Sequence, residues 1–408
     1  MLLGRPPALR SLYVYPWDVA SQGAREFAAQ ALGLGLTAAT VALGGRASKF
    51  VAAQHRGSRV VFAEEGTVCF EPDPRGYGEI APVAHSDPAL RHAVEDLAAD
   101  GRLQLRAKLP LLHNARLAAQ HPLHVVRNAW GDAYAHHLCP SSPAALEYAL
   151  ALSADCARLP LRGLVLEAPN WLSYAHGHAR EFAQARGNLW LEALLSLCFC
   201  SHCRQRAGAA DVDADALAAR VRARVDAYLA APVDAAADQA AAWLLADLLE
   251  MPQLAAYLRL RHERVAEAVA AIRARLPRDR DVWAIATTRR PSANAWLEGS
   301  PLAALARACD GVEVRLDHAD AARVAADAFD AVQRVGDPAR VRAILRPGPP
   351  DLGDGSALAA ALAALQTAGI GDVAFYHYGR LRPHQLHALG AALRAGSAGA
   401  AHPSAGVA

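Results

Sequence analysis

No charge of one sign dominates this sequence: 42 Lys and Arg face 40 Asp and Glu, a formal net charge of +2 over 408 residues. That balance argues against a nucleic-acid partner held on a broad basic face, because phosphate recognition needs a local excess of cations. No run of about 18 apolar residues occurs, so no membrane-spanning helix is expected. Residues 1–10 also lack the apolar stretch of about 7–15 residues that marks a secretory signal, and the expectation is a soluble, cytoplasmic protein. Seven cysteines are too few for a disulfide scaffold in a chain of this size. Lysine occurs only as Lys49 and Lys108. With abundant alanine and arginine, this reads as a coding bias and not as a functional signal. No Gly-x-Gly-x-x-Gly turn follows the first apolar run, so a dinucleotide fold has no support.

What is present is a large apolar fraction, 53%, with 20% charged residues, enough to bury a substantial core. Short β-branched or aromatic runs alternate with alanine-rich helical stretches, which is the pattern of βα units around a parallel sheet. Eight such runs are found, at 11–19, 36–44, 103–112, 161–168, 281–288, 311–317, 340–345 and 372–378. Eight strands each followed by a helix predict a (β/α)8 TIM barrel over residues 1–395. Two surpluses interrupt it. Residues 46–99 hold a β-hairpin insertion after strand 2, read around a turn at Gly66, and residues 181–276 form a long helical insertion after strand 4. The segment 396–408 has the low complexity of a disordered tail.

In such barrels the chemistry sits at the carboxyl ends of the strands. The residues found there are Tyr15, Trp17 and Asp18 after strand 1, and His113 and Asn114 after strand 3. Glu167, Asn170, Trp171, Tyr174, His176 and His178 follow strand 4, Asp317 ends strand 6, and Tyr376 and His377 end strand 8. Aromatic platforms beside carboxylates and imidazoles suit a small-molecule carbohydrate, whose apolar faces stack on rings while its hydroxyls need polar partners.

Glu167 ends an apolar run, where desolvation would raise its pKa and suit it to general acid work. The competing reading is an ion pair at the barrel mouth. Glycoside hydrolysis needs a second carboxylate, for which Asp317 and Asp18 are the candidates. Asp18 could equally cap the helix that starts beside it. Along strand 6, Glu313, Arg315 and Asp317 share one face, predicting a paired charge network with Arg342 inside the barrel. His176 and His178 form an H-x-H pair that reads better as hydroxyl-binding loop histidines than as metal ligands. No catalytic cofactor is expected. Cys198, Cys200 and Cys203 lie close in sequence, and Cys139 or His202 would complete a structural zinc site; buried free thiols are the favoured alternative.

Several stretches resemble an uncharacterised bacterial TIM-barrel family of glycosyl hydrolase-like proteins. They are YVYPWD at 13–18, the 49–78 hairpin region, LLHNAR at 111–116, RNAWGDAYAHHLCPSSP at 127–143, the Glu167 to His178 loop, LCFCSHCR at 197–204 and FYHYGRL at 375–381. The resemblance implies a carbohydrate-active barrel, a glycoside hydrolase with Glu167 as acid/base. One departure stands out: strand 7 ends on Arg346 where the common plan has a second catalytic carboxylate. A metal-dependent sugar isomerase or lyase using Glu167, His176, His178 and Asp317, or a non-catalytic carbohydrate-binding barrel, are the alternatives. Oligomeric state is left open.

Overall fold

The computed structural model describes residues 8–177, 185–353 and 355–399. Eight parallel strands close into a barrel: β1 (Arg10–Val14), β2 (Ala38–Ala42), β3 (Gln104–Pro110), β4 (Gly163–Glu167), β5 (Asp281–Ile285), β6 (Gly311–Arg315), β7 (Val341–Leu345) and β8 (Val373–Phe375), with β8 paired back onto β1. The alternation of each strand assigns its two faces. Leu12, Val41, Leu109, Leu164 and Val312 point outward into the shell shared with the helices. Tyr13, Val165, Trp283, Ile285, Ile344 and Ala374 point inward and form a separate small cluster.

That inner cluster is threaded by charge. Arg342 Nη1 donates to Glu313 Oε1 at 2.5 Å, and its guanidinium lies 3.8 Å over the Trp283 ring. The Tyr13 hydroxyl donates to the other Glu313 oxygen. Below them Arg106 reaches Asp281 at 2.7 Å and Ser11 meets Thr40 at 2.8 Å. Each of these side chains has a partner, with Arg106 Nη1 and Arg342 Nε alone making no hydrogen bond among the described residues of the network.

The insertions differ in detail from the sequence reading. The hairpin after β2 pairs Ser48–Val51 with Val60–Ala63, so its turn lies at 52–59 and not at Gly66. Gly66 has another task. At φ +64° its backbone packs so closely that a Cβ would sit 2.2 Å from Asn114 Oδ1. A second hairpin, Val125–Arg127 with Ala133–Leu138, follows β3. It was not anticipated, although Asn128 and Gly131 make its turn: Asn128 Oδ1 accepts from the backbone N–H of Trp130 and Asp132, each at 3.0 Å. After β4 come helices Leu189–Leu195, Ser201–Gly208, Ala214–Ala230 and Ala237–Glu250. The last helix of the expected insertion, Pro252–Arg275, packs against Pro143–Cys156 and Leu302–Ala308 and belongs to the barrel's own ring. The closing helix, Pro383–Gly399, runs into the segment expected to be a disordered tail; 400–408 lie outside the described residues.

Candidate active site

Two adjoining cavities of about 130 and 190 Å³ open at the carboxyl ends of the strands and share Lys108, Glu167, His176 and Tyr376 in their walls. Glu167, the last residue of β4, faces inward because it continues the parity of Gly163 and Val165. On the neighbouring strand the same parity brings in Lys108, whose Nζ donates to Glu167 Oε2 at 2.7 Å. Burial alone would raise the Glu167 carboxyl. The Lys108 ammonium, through its charge and its hydrogen bond, outweighs burial and holds the pKa below the ordinary glutamate value. The expectation of a raised pKa is thus corrected: Glu167 rests as an ionised carboxylate.

Opposite it stands an aromatic wall. Tyr15 and Trp17 stack with ring centroids 4.3 Å apart, and the Tyr15 and Tyr376 hydroxyls lie 3.4 Å apart. Burial favours the neutral Tyr376 phenol, but the charges of Lys108 and Arg380 prevail and lower its pKa. His113 and His176 meet edge to face at 5.1 Å, with His176 Nε2 3.2 Å from Arg46 Nη1. Burial, reinforced by the neighbouring histidine and Arg46, depresses His113 to about 3; burial and Arg46 take His176 to about 4. Both imidazoles are neutral at physiological pH.

Asp317 borders the second cavity. Its Oδ2 accepts from Arg315 at 2.6 Å and Arg346 at 2.7 Å, while Oδ1 has no hydrogen-bond partner among the described residues. The strand 7 arginine that stands where a carboxylate was sought therefore orients the carboxylate of strand 6.

Other expected site residues lie elsewhere. Asp18 is buried behind Tyr15, where it accepts from the Tyr15 backbone N–H at 3.0 Å and from His55 at 2.9 Å, so helix capping explains it. Burial outweighs the His55 bond and raises its pKa. Asn114 caps helix Ala115–Gln120 through Leu117 N at 2.9 Å and donates to Gly66 O at 3.1 Å. Asn170 is buried and donates to Ala286 O at 3.2 Å. Trp171 is buried under Arg261, 4.7 Å above its ring. Tyr174 is exposed and borders neither cavity. His377 follows the outward parity of Phe375 and is buried against Tyr15, ring centroids 4.0 Å apart, leaving Tyr376 to face the mouth. His178 lies outside the described residues.

Sequence reading missed Lys108, whose inward parity with Arg106 was the available signal. It also missed His136 and His137, carried by the unanticipated hairpin; His137 Nε2 is 2.9 Å from Asn170 O, and the His136 ring lies 5.5 Å from that of His113.

Cys139, Cys198, Cys200 and Cys203 are all buried, with sulfurs within 4.8 Å of one another. Cys139 Sγ lies 3.8, 3.5 and 3.5 Å from those of Cys198, Cys200 and Cys203. A tetrahedral zinc with Zn–S of about 2.3 Å would place its sulfurs about 3.8 Å apart, so the donor set fits that ion. Nearby Arg261 is buried, and its Nε and Nη1 have no hydrogen-bond partner among the described residues. His202, the other proposed completing ligand, instead stacks on His124, with ring centroids 5.7 Å apart.

No family model matches the chain, and no sequence match to a curated protein was found. Solved structures do share its fold. An α-L-fucosidase isoenzyme 2 from Paenibacillus thiaminolyticus superposes with a TM-score of 0.52 at 13% identity, over 97% of this chain and 50% of that one. A β-galactosidase from the psychrophilic Marinomonas ef1 gives 0.57 at 11% identity, over 96% and 60%. The catalytic domain of β-amylase from Paenibacillus polymyxa gives 0.54 at 10% identity, over 93% and 95%. The chain thus spans half to three fifths of the first two and nearly all of the third. At these identities the likeness is one of fold. Among the described residues no helix is long and apolar enough to cross a membrane.

Proposed function

We propose that the protein is a carbohydrate-active enzyme, a glycoside hydrolase or close relative, with Glu167 as its reacting carboxylate and Asp317 as the second. The observation that carries this reading is the half-buried Glu167 at the end of β4, bonded to Lys108 and facing the Tyr15–Trp17–Tyr376 wall. Supporting it, the structural neighbours named above are a fucosidase, a galactosidase and an amylase. Because Lys108 keeps Glu167 ionised, it enters the reaction as base or nucleophile. It can serve as acid in a later step, after it has taken up a proton as base. The two arginines fix Asp317 Oδ2, and its buried Oδ1 has no hydrogen-bond partner among the described residues. The sugar ring stacks on Trp17, and the neutral His113 and His176 bond its hydroxyls.

The metal-dependent isomerase reading has less support, since Arg46 occupies the ring nitrogen side of His176 and cations crowd the mouth. A separate structural zinc on the four cysteines is part of the proposal; the charge of Arg261 would offset a zinc tetrathiolate.

The test is product release from a panel of glycosides. Glu167→Gln is expected to lower kcat by about 10²–10⁴-fold with an unchanged circular dichroism spectrum. A Glu167→Gln variant as active as wild type overturns the assignment.

A further inference from the structure

The mouth is charged out of proportion to the chain. Its two cavities are walled by five cations, Arg46, Lys108, Arg315, Arg346 and Arg380, and by two carboxylates, Glu167 and Asp317. The whole sequence has a formal net charge of only +2. Three of the cations are spoken for: Lys108 by Glu167, and Arg315 and Arg346 by Asp317. Arg46 and Arg380 have no carboxylate partner among the described residues. Arg46 meets only the neutral His176 ring, and Arg380 lies over Phe50, 4.6 Å from its centroid.

These two arginines are related by topology. Arg46 follows β2 and Arg380 follows β8, the two strands that flank β1, so they bracket the Tyr15–Trp17 wall that β1 carries. β4, with Glu167, is four strands from β8 in the closed ring and lies across the barrel. Arg46 and Arg380 are exposed at the rim beside Lys108, where a neutral sugar would leave their N–H donors to water. We infer that the substrate is an anionic sugar, carrying a carboxylate, sulfate or phosphate ester that seats between Arg46 and Arg380 while its glycosidic bond faces Glu167. A guanidinium fork matches each of these oxyanions through paired N–H donors. The same positive field is seen in the groups it perturbs, since Arg46 helps keep His176 neutral and Lys108 and Arg380 favour the Tyr376 phenolate.

This inference rests on the carbohydrate reading, and calorimetry at low salt separates the two. The probes are glucuronate and galacturonate, the 6-sulfates and 6-phosphates of glucose and galactose, the two neutral parents, and inorganic sulfate and phosphate. One charged sugar is expected to bind at least about tenfold more tightly than its neutral parent, with a preference that weakens as salt rises. Combined Arg46→Gln and Arg380→Gln substitution should abolish the preference, and the arm that binds best names the anion. The salt dependence is read on wild type, so it stands even where the double variant folds poorly. Equal affinity for charged and neutral forms, or a preference that survives both substitutions, overturns the inference. If neutral sugars alone bind and are cleaved in a Glu167-dependent way, the anionic subsite falls and the hydrolase reading stands. If an inorganic anion binds through the two arginines and no sugar does, the subsite stands and the carbohydrate reading falls.

Discussion

Lys108 sets the resting ionisation of Glu167, because its ammonium overcomes the burial that would otherwise raise the carboxyl's pKa. If Glu167 reacts as an anion, kcat/KM falls on the acid side as pH drops through its pKa, which in the wild type lies below the ordinary glutamate value. Lys108→Met leaves the burial and removes the opposing charge, so that acid limb should move to higher pH. An acid limb in the same place for both proteins would show that this pair does not set the profile. Only part of this was legible in the sequence. Glu167, Asp317, Tyr15, Trp17, His113, His176 and Tyr376 follow from their places at strand ends, and the structure lines the cavities with them. Proximity to a strand end does not tell which way a side chain points once the strand gives way to loop. Asn114, Asn170, Trp171 and Asp18 serve the loops and helices behind the mouth for that reason. Lys108 was hidden differently: its rarity looked like coding bias, while its parity with Arg106 placed it inside the barrel.

Among the elements, the strands were the most legible, because each has one outward apolar face and a distinct inner one, a period of two that survives any loop. The inserted segments were less so. The 46–99 region holds a hairpin whose turn lies at 52–59; Gly66 is in a turn of its own, but the strands on either side of it pair with other partners, Val60–Ala63 with Ser48–Val51 and Thr67–Val68 with Val83–Ala84. The hairpin after β3 lay hidden because its strands, of three and six residues, are short and the second carries two adjacent histidines; its end brings Cys139 to the cysteines at the start of helix Ser201–Gly208. A zinc there would staple this hairpin to the helical insertion across a sequence separation that chain connectivity alone constrains poorly. Purified protein is therefore expected to carry one zinc per chain by elemental analysis. Removing it with a chelator, or making Cys200→Ser, should lower Tm by several degrees. Metal-free protein with an unchanged Tm would mean that the four thiols simply pack as small apolar groups.

For the whole molecule, the near balance of charge conceals a separation: paired ions inside the barrel and an excess of cations at its mouth. The closed sheet fixes that separation, since eight inward parities converge on one face and leave Glu167 as the carboxylate of the cavity that the aromatic wall faces. A small anion should consequently be drawn to the space left when that carboxylate is deleted. Glu167→Ala assayed with and without added formate, on a glycoside that wild type cleaves, probes this most directly. The variant alone is expected to be nearly inactive, and formate to restore part of the rate in a saturable way. Wild-type turnover by Glu167→Ala without formate would contradict this.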